Sequence, residues 1–400
     1  MKEWNATDAV GNEIYLDHAA TSFPKPESVV IEVTRALAEL ASPGRGQSRR
    51  AVLAEAMVEE TRRIAARFFH VPDPSQIVFT KSATESLNVA IKGFLQKGDR
   101  VLTSSMEHNA VARPLSRLAM ERDIEIQRIP CFSDGTLDLK ALERALNPAP
   151  ALAVFVHASN VNGALVATPE VFSMCRKAGV PVVLDAAQTA GLLPISVQEH
   201  DLAMLACSGH KGLLGPSGIG LLYIRSDLQV APLIEGGTGS RSEQWVQPRH
   251  MPDAMESGTP NIPGIAGLKA GMLQVMAMGL ENLQRHEFGL AEQAADRLEA
   301  VKGVHVHRPS VRGGNAVSFT VDGMAPQDVA AILAEAGIGV RAGLHCAPWA
   351  HQTLGTYPEG SVRLSPGWCT THEELDTMIE TIDAVLSRRR RRHLGKAETS

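Results

Sequence analysis

Between Ile77 and Ile224, short apolar runs alternate with segments of helical period, and this alternation constrains the fold more than any other feature of the chain. The runs are Ile77–Phe79, Val101–Thr103, Ile124–Ile129, Leu152–His157, Val182–Asp185, Leu202–Cys207 and Gly218–Ile224. Helical spacing of apolar residues falls between them, near 85–95, 109–121, 138–146 and 168–178. Strands that are apolar along their whole length need cover on both faces. The pattern therefore predicts an α/β fold with a mostly parallel seven-stranded sheet and helices on both sides. Ligand sites in such sheets gather at the carboxyl ends of the strands. His157, Asp185 and Ser208–Lys211 stand at or just past such ends.

The flanks read differently. Residues 13–25 are extended and loop-like, and helical period follows over Glu27–Leu40 and Ser48–Phe69, broken by Ser42–Gly46. From Glu235 to Pro263 the chain is rich in Gly, Pro and Ser, and one long helical pattern then covers Pro263–Ala300. The remainder reads as a smaller C-terminal α/β domain with strands at 304–307, 316–321, 337–340 and 361–364 and helices at 326–336 and 371–388. A chain of 400 residues exceeds one simple core. The division expected is an N-terminal segment, 1–24, packing with the small domain. A large domain covers 25–262, a helix and small domain 263–390, and a basic, disordered tail 391–400.

Net charge is −5, which makes no overall case for nucleic-acid binding. The exception is the run Arg388–Arg392, read as a solvated tail after the last helix, with RNA, a membrane or an acidic partner as the alternative. The five cysteines are Cys131, Cys175, Cys207, Cys346 and Cys369, an odd number with no Cys-x-x-Cys pair. That argues against a disulfide framework or a structural zinc site and for a reducing compartment. The first residues are polar, and no apolar run approaches the ~20 residues that span a bilayer. The expectation is a cytoplasmic protein.

The chemistry gathers in a few segments. The strand Leu202–Cys207 ends in Ser208-Gly-His-Lys211, and a lysine desolvated at a strand end has a lowered pKa and can form a Schiff base with an aldehyde. A surface lysine is the plain alternative, and it fits poorly among small and apolar neighbours. Asp185 ends another strand, where it either caps the next turn or holds the protonated ring nitrogen of a pyridoxal cofactor. Thr80-Lys-Ser-Ala-Thr-Glu85 follows a strand and opens a helix, as an anion cup or an ordinary cap, with the Thr84 hydroxyl as a further donor. Gln188 and Asn160 are candidate donors to a ring hydroxyl, and His108 a candidate for the ring face or for proton transfer; turn and loop roles are the alternatives. In Val340–Pro348, Cys346 adjoins His345 and follows Arg341, a setting that favours thiolate. Arg363 suits two-pronged capture of a carboxylate.

These residues resemble a class V aminotransferase-fold enzyme dependent on pyridoxal 5'-phosphate (PLP), specifically a cysteine desulfurase of the group II, SUF-type kind. The likeness runs through Tyr15–Thr21, Ser82–Glu85, Glu107-His108, Ser159-Asn160, Asp185–Gln188, Ser208–Lys211, Gly258–Asn261 and Arg341–Cys346. The resemblance implies fold type I, with Lys211 as the Schiff-base lysine, Asp185 on the ring nitrogen, Gln188 and Asn160 on the ring hydroxyl, and His108 over the ring. It implies that Ser82, Ala83, Thr84, Ser208 and His210 cup the phosphate, with Thr259 contributed across a homodimer interface. Arg363, Arg341 and Asn160 would bind substrate, and Cys346 would take sulfur from L-cysteine, or selenium from L-selenocysteine, for a sulfur-acceptor protein and iron–sulfur cluster assembly. The alternative is another class V reaction: a β-lyase, an aminotransferase or an epimerase. A scaffold or nucleic-acid-associated protein using the arginine run is the rival outside that class. Cys346 follows Arg341 by five residues, which implies a short, ordered loop, and the segment between Gly237 and Gly258 is shorter than is usual in SUF-type enzymes. Ala83 stands where many relatives carry a hydroxyl, so the cup would lean on backbone donors.

Overall fold

The structure, a computed structural model, describes residues 13–43 and 48–397. In chain order the elements are β1 (Ile14–Tyr15), α1 (Glu27–Glu39), α2 (Arg49–Phe68), β2 (Ile77–Thr80), α3 (Ala83–Phe94), β3 (Arg100–Ser104), α4 (Asn109–Arg122), β4 (Glu125–Ile129), α5 (Leu139–Ala145), β5 (Leu152–Val156), α6 (Pro169–Lys177), β6 (Val182–Asp185), β7 (Met204–Ser208) and β8 (Gly220–Ile224). They continue with α7 (Ile262–Met278), α8 (Leu280–Ala300), β9 (Val304–Val306), β10 (Val317–Val321), α9 (Pro326–Glu335), β11 (Ile338–Gly339), β12 (Arg341–Gly343), α10 (Pro348–Thr353), β13 (Ser361–Leu364) and α11 (His372–Ala397).

Seven strands form the main sheet in the order β2-β8-β7-β6-β5-β3-β4, and only β8 runs antiparallel to its neighbours. Both faces are apolar for the reason the sequence suggests. In β6, Val182 and Leu184 enter one core while Val183 enters the other; in β7, Leu205 and Cys207 oppose Met204 and Ala206. The edge strand β2 is not left open. Glu256 accepts from the backbone N–H of Phe79 at 2.7 Å and pairs in two-pronged fashion with buried Arg62, at 2.8 and 3.0 Å.

The long helix expected over 263–300 is two helices. They meet at Gly279, whose φ of 81° ends α7 and starts α8. Helix α7 is buried against α1, and Gly271 lets it approach the 213–215 backbone, where an added Cβ would sit 2.3 Å from the Leu213 oxygen. The expected strand at 337–340 is shortened to Ile338–Gly339, and a separate short strand, Arg341–Gly343, follows it. Ile338–Gly339 pairs in parallel with β1, and Arg341–Gly343 pairs with β13 in the antiparallel sheet β12-β13-β10-β9. The last helix continues through the arginine run to Ala397 instead of giving way to an irregular tail. The side chains of Arg389–Arg392 lie outside what is described, as do residues 1–12, 44–47 and 398–400. Among the described residues no helix is long and apolar enough to cross a membrane.

Candidate active site

The carboxyl ends of β2, β5, β6 and β7 converge on a cleft of about 360 Å³ that the C-terminal unit closes from the other side. Ser82, Ala83, Thr84, His108, Asn160, Asp185, Gln188, Ser208, His210, Lys211, Arg341, Cys346 and Arg363 all line it. Thr259, expected at the cleft of a partner copy, does not line this one and lies on an exposed loop before α7.

Asp185 is buried, and its Oδ1 accepts from the Ala187 N–H at 3.0 Å. Burial pushes its pKa up, against the pull of that hydrogen bond and of Lys211. Among the described residues it has no ion-pair partner within 4 Å, so its carboxyl group would be free to take a cationic N–H there. Lys211 keeps some surface open to the cleft, yet desolvation pulls its pKa down to about 8, with Asp185 opposing and Arg363 assisting. An amine poised there is available both as nucleophile and as base near neutral pH.

His108 caps α4 by accepting the Ala110 N–H on Nδ1 at 3.0 Å. Burial, then the charges of Lys211, Arg363 and Arg113, lower its pKa to about 4. The ring is therefore neutral at pH 7 with its proton on Nε2, the nitrogen left for the cleft. Gln188 gives one Nε2 proton to the Ala19 carbonyl at 3.0 Å, and Asn160 gives one Nδ2 proton to the His345 carbonyl at 2.7 Å. These bonds orient both amides, and the Asn160 Oδ1 is buried without a partner.

Helix α3 points its N-terminus into the cleft. Its first amide, that of Ala83, donates to Ser208 Oγ at 3.1 Å, while the side chain of the cap residue Ser82 makes no capping bond. Gly220 in β8 permits this approach, because a Cβ there would lie 2.7 Å from Ser82 Cα. The buried His210 Nδ1 has no partner, and its pKa is lowered to about 4 by burial and by Lys211 and Lys25. Helix N-terminal amides beside Thr84, Ser208 and His210 make an anion cup. The buried Asp185 without a close counter-ion, the orphaned His210 Nδ1 and this cup form a donor and acceptor set that fits a phosphorylated pyridine aldehyde.

Three features were not visible in the sequence. The first is Asp17. Register sets Arg341 directly opposite Arg363 in the β12–β13 pair, where like charges repel. Asp17, bridged to Ser365 beside β13, takes Arg363 Nη2 at 2.6 Å on Oδ1 and Arg341 Nε at 2.9 Å on Oδ2. Arg363 also donates to the Asn160 carbonyl at 2.9 Å, and its buried Nε is left without a partner. The second feature is a chain behind Cys346. The Arg341 carbonyl can only accept, so His345 donates to it from Nε2, at 3.4 Å. His345 Nδ1 then accepts from His351 Nε2 at 3.1 Å, and His351 Nδ1 accepts from the Thr356 hydroxyl at 2.7 Å. Burial drives both rings neutral, with pKa values down to about 2 for His345 and about 4 for His351. This chain braces two consecutive non-glycine residues in the left-handed region, His345 at φ 49° and Cys346 at φ 56°. Asn109 N–H completes the brace by donating to the Cys346 carbonyl at 2.7 Å. The third feature is buried Glu107. Its Oε1 accepts from the Ser104 hydroxyl and the Val156 N–H, and burial raises its pKa to about 8. None of the three contacts has a local sequence signal, since each joins residues distant in the chain or depends on a side-chain rotamer.

Residues 14–378 match the aminotransferase class-V family. A probable cysteine desulfurase of Pyrococcus abyssi is 34% identical over 93% of this chain and 94% of its own length. The chain belongs to the cysteine desulfurases of the class-V aminotransferase family. A cysteine desulfurase of Pectobacterium atrosepticum is 32% identical over 93% of this chain and 92% of its own. Among solved structures, the apo cysteine desulfurase of Thermococcus onnurineus NA1 superposes with a TM-score of 0.88 at 33% identity, covering 94% of this chain and 95% of the other. An Escherichia coli cysteine desulfurase carrying an S-sulfonic acid superposes at 0.85 with 29% identity, covering 94% and 95%. The family is PLP-dependent, and the fold of this desulfurase is the mostly parallel α/β fold the sheet pattern anticipated and the PLP-enzyme fold the resemblance implied.

Proposed function

We propose that this chain removes sulfur from L-cysteine, carries it as a persulfide on Cys346, and passes it to an acceptor, leaving L-alanine. One observation carries the reading: Cys346, Lys211, Asp185 and Arg363 face a single cleft. Lys211 would hold the cofactor, Asp185 its ring nitrogen, Gln188 and Asn160 its ring hydroxyl, and His108 its ring face. Ser82, Ala83, Thr84, Ser208 and His210 would hold its phosphate. Bound there, PLP supplies an electron sink for bonds at the substrate's α- and β-carbons.

The protein's own groups do the rest. Arg363, which lines the cleft and whose buried Nε has no protein partner, would receive the substrate carboxylate, with Arg341 as a second cation lining the cleft. Lys211, at a pKa of about 8, moves the proton at the substrate α-carbon. The Cys346 thiolate forms a bond to the substrate sulfur as the carbon–sulfur bond breaks, and that electron pair stays with the fragment that leaves as alanine. The left-handed loop holds the attacking sulfur in place for this step.

A homodimer is part of the same reading. Val30, Ile31 and Leu37 on α1, Val52 and Leu53 on α2, and Leu273 and Met276 on α7 are exposed apolar side chains on neighbouring helices. A symmetric partner would cover them, and the same reading assigns Thr259 to the cleft of the other copy.

The test is mass spectrometry after L-cysteine treatment. The Cys346 peptide is expected to gain one sulfur, and Cys346→Ala to lose that product while keeping bound PLP. Undiminished release of alanine and sulfide by Cys346→Ala overturns the persulfide route and favours a simple β-lyase.

A further inference from the structure

Cys346 lines two adjoining cavities. One is the cleft described above. The other is an open basin of about 360 Å³, and Thr84, His108, Ala110 and Cys346 line both. The basin has the size of a small-molecule pocket. Its rim is cationic: Lys92 from α3 and Arg113 and Arg117 from α4 line it, and no acidic residue does. Arg117 is paired with Glu121. Among the described residues, Lys92 and Arg113 have no ion-pair partner. The electrostatic reach of Arg113 extends to His108, whose pKa it helps to lower.

From this geometry we infer that the basin admits a small anionic thiol, one bearing carboxylates, as the sulfur acceptor. The inference rests on the persulfide reading and extends it to the second half-reaction. An incoming thiolate attacks the outer sulfur of the Cys346 persulfide; the new bond is to the acceptor sulfur, the bond to Cys346 Sγ breaks, and Cys346 is left as thiolate. No oxidant is consumed. A partner-side approach through the substrate cleft would have to pass Arg341 and wait for alanine to leave. The basin adjoins the same residue, with α3 and α4 supplying unpaired cations that raise the local concentration of an anion.

Two experiments separate this inference from the reading beneath it. In a Cys131→Ser, Cys369→Ser background, Cys346 is converted to its mixed disulfide with thionitrobenzoate, and release of the chromophore is timed with mercaptosuccinate, 2-mercaptoethanol and cysteamine. This step needs neither PLP nor desulfuration. Rates are normalised to the same thiols acting on a small-molecule mixed disulfide. The normalised ratio of mercaptosuccinate to cysteamine is expected to exceed one. It should fall roughly tenfold in Lys92→Glu/Arg113→Glu and shrink as salt rises. The second experiment loads the persulfide with L-cysteine, removes the substrate, and follows sulfur transfer to the same thiols with the same expected ranking. A ratio unmoved by the double variant overturns the basin, whatever becomes of the persulfide. So does a change in sedimentation that shows the variant has instead lost its dimer, since the cations would then belong to the subunit interface. Absence of a persulfide with the disulfide ranking intact overturns the desulfurase reading and leaves the basin standing.

Discussion

Asp17 offers the most decisive test of how the site is assembled. Arg363 is almost wholly buried, and among the described residues only the Asp17 carboxylate, at 2.6 Å, neutralises it. Removing one partner of a buried pair leaves an unpaired charge and costs about 3–5 kcal/mol. The second guanidinium adds less. Arg341 faces Arg363 in register, but half its side chain is in solvent and it can swing away. The buried pair therefore dominates, and Asp17→Ala is expected to lose about 3–5 kcal/mol in urea unfolding of the holoenzyme. Asp17→Asn keeps an acceptor oxygen and should lose less, on the order of 1–3 kcal/mol. The diagnostic is a double-mutant cycle with Arg363→Met, where the coupling energy should exceed about 2 kcal/mol because the two residues share one buried contact. The KM for cysteine should rise in Asp17→Ala with the PLP absorbance unchanged, since Arg363 loses the group that aims it. Additive losses within about 0.5 kcal/mol would refute the bridging role.

Three further outcomes follow from the same geometry. Lys211 has a native pKa of about 8 against 10.5 ordinarily, so between those values the unfolded chain holds more protons than the native one. The cofactor-free protein should gain stability from pH 8 to 10.5, and Lys211→Met should be the more stable form at pH 7, with the advantage fading by pH 10.5; a flat difference across that range in chemical denaturation would count against the desolvated amine. His351→Ala should free the 345–346 loop and cut kcat by roughly 10–100-fold with KM and PLP binding little changed, with His351→Gln recovering part of the loss; an unaltered kcat would show the chain to be structural only. Gly220→Ala would place a methyl 2.7 Å from Ser82 Cα, with an expected destabilisation of about 1–3 kcal/mol and faster loss of PLP on dialysis; retention equal to wild type would mean α3 shifts without harm.

Much of this protein could be read without coordinates, and the reason is local. Strands apolar on both faces are legible because every side chain in Val182–Leu184 or Met204–Cys207 has to be buried. Asp185 and Lys211 stand out because a charge ending such a run is out of character with its neighbours. The Gly279 break is not legible in the sequence, since a glycine inside a helical pattern is tolerated there without ending the helix. The two short strands at 338–343 escaped for a related reason: they pair with different partners, β1 and β13, and local composition carries no trace of that. Thr259 was placed by family resemblance alone, and the single chain leaves it outside the cleft.

The amino-acid order alone determined the layered sheet and the strand ends where chemistry gathers, which follow from burial and periodicity over a few neighbouring residues. The roles expected of Lys211, Asp185 and Cys346 rest on their local settings together with the family resemblance. Only the tertiary structure decided that Asp17 would neutralise Arg363 from 346 residues away, that a histidine pair would brace the strained thiol loop, and that Cys346 would open onto two cavities instead of one. Each of these is a through-space electrostatic or hydrogen-bonded contact, and its strength depends on distances that exist only once the two units have closed on one another.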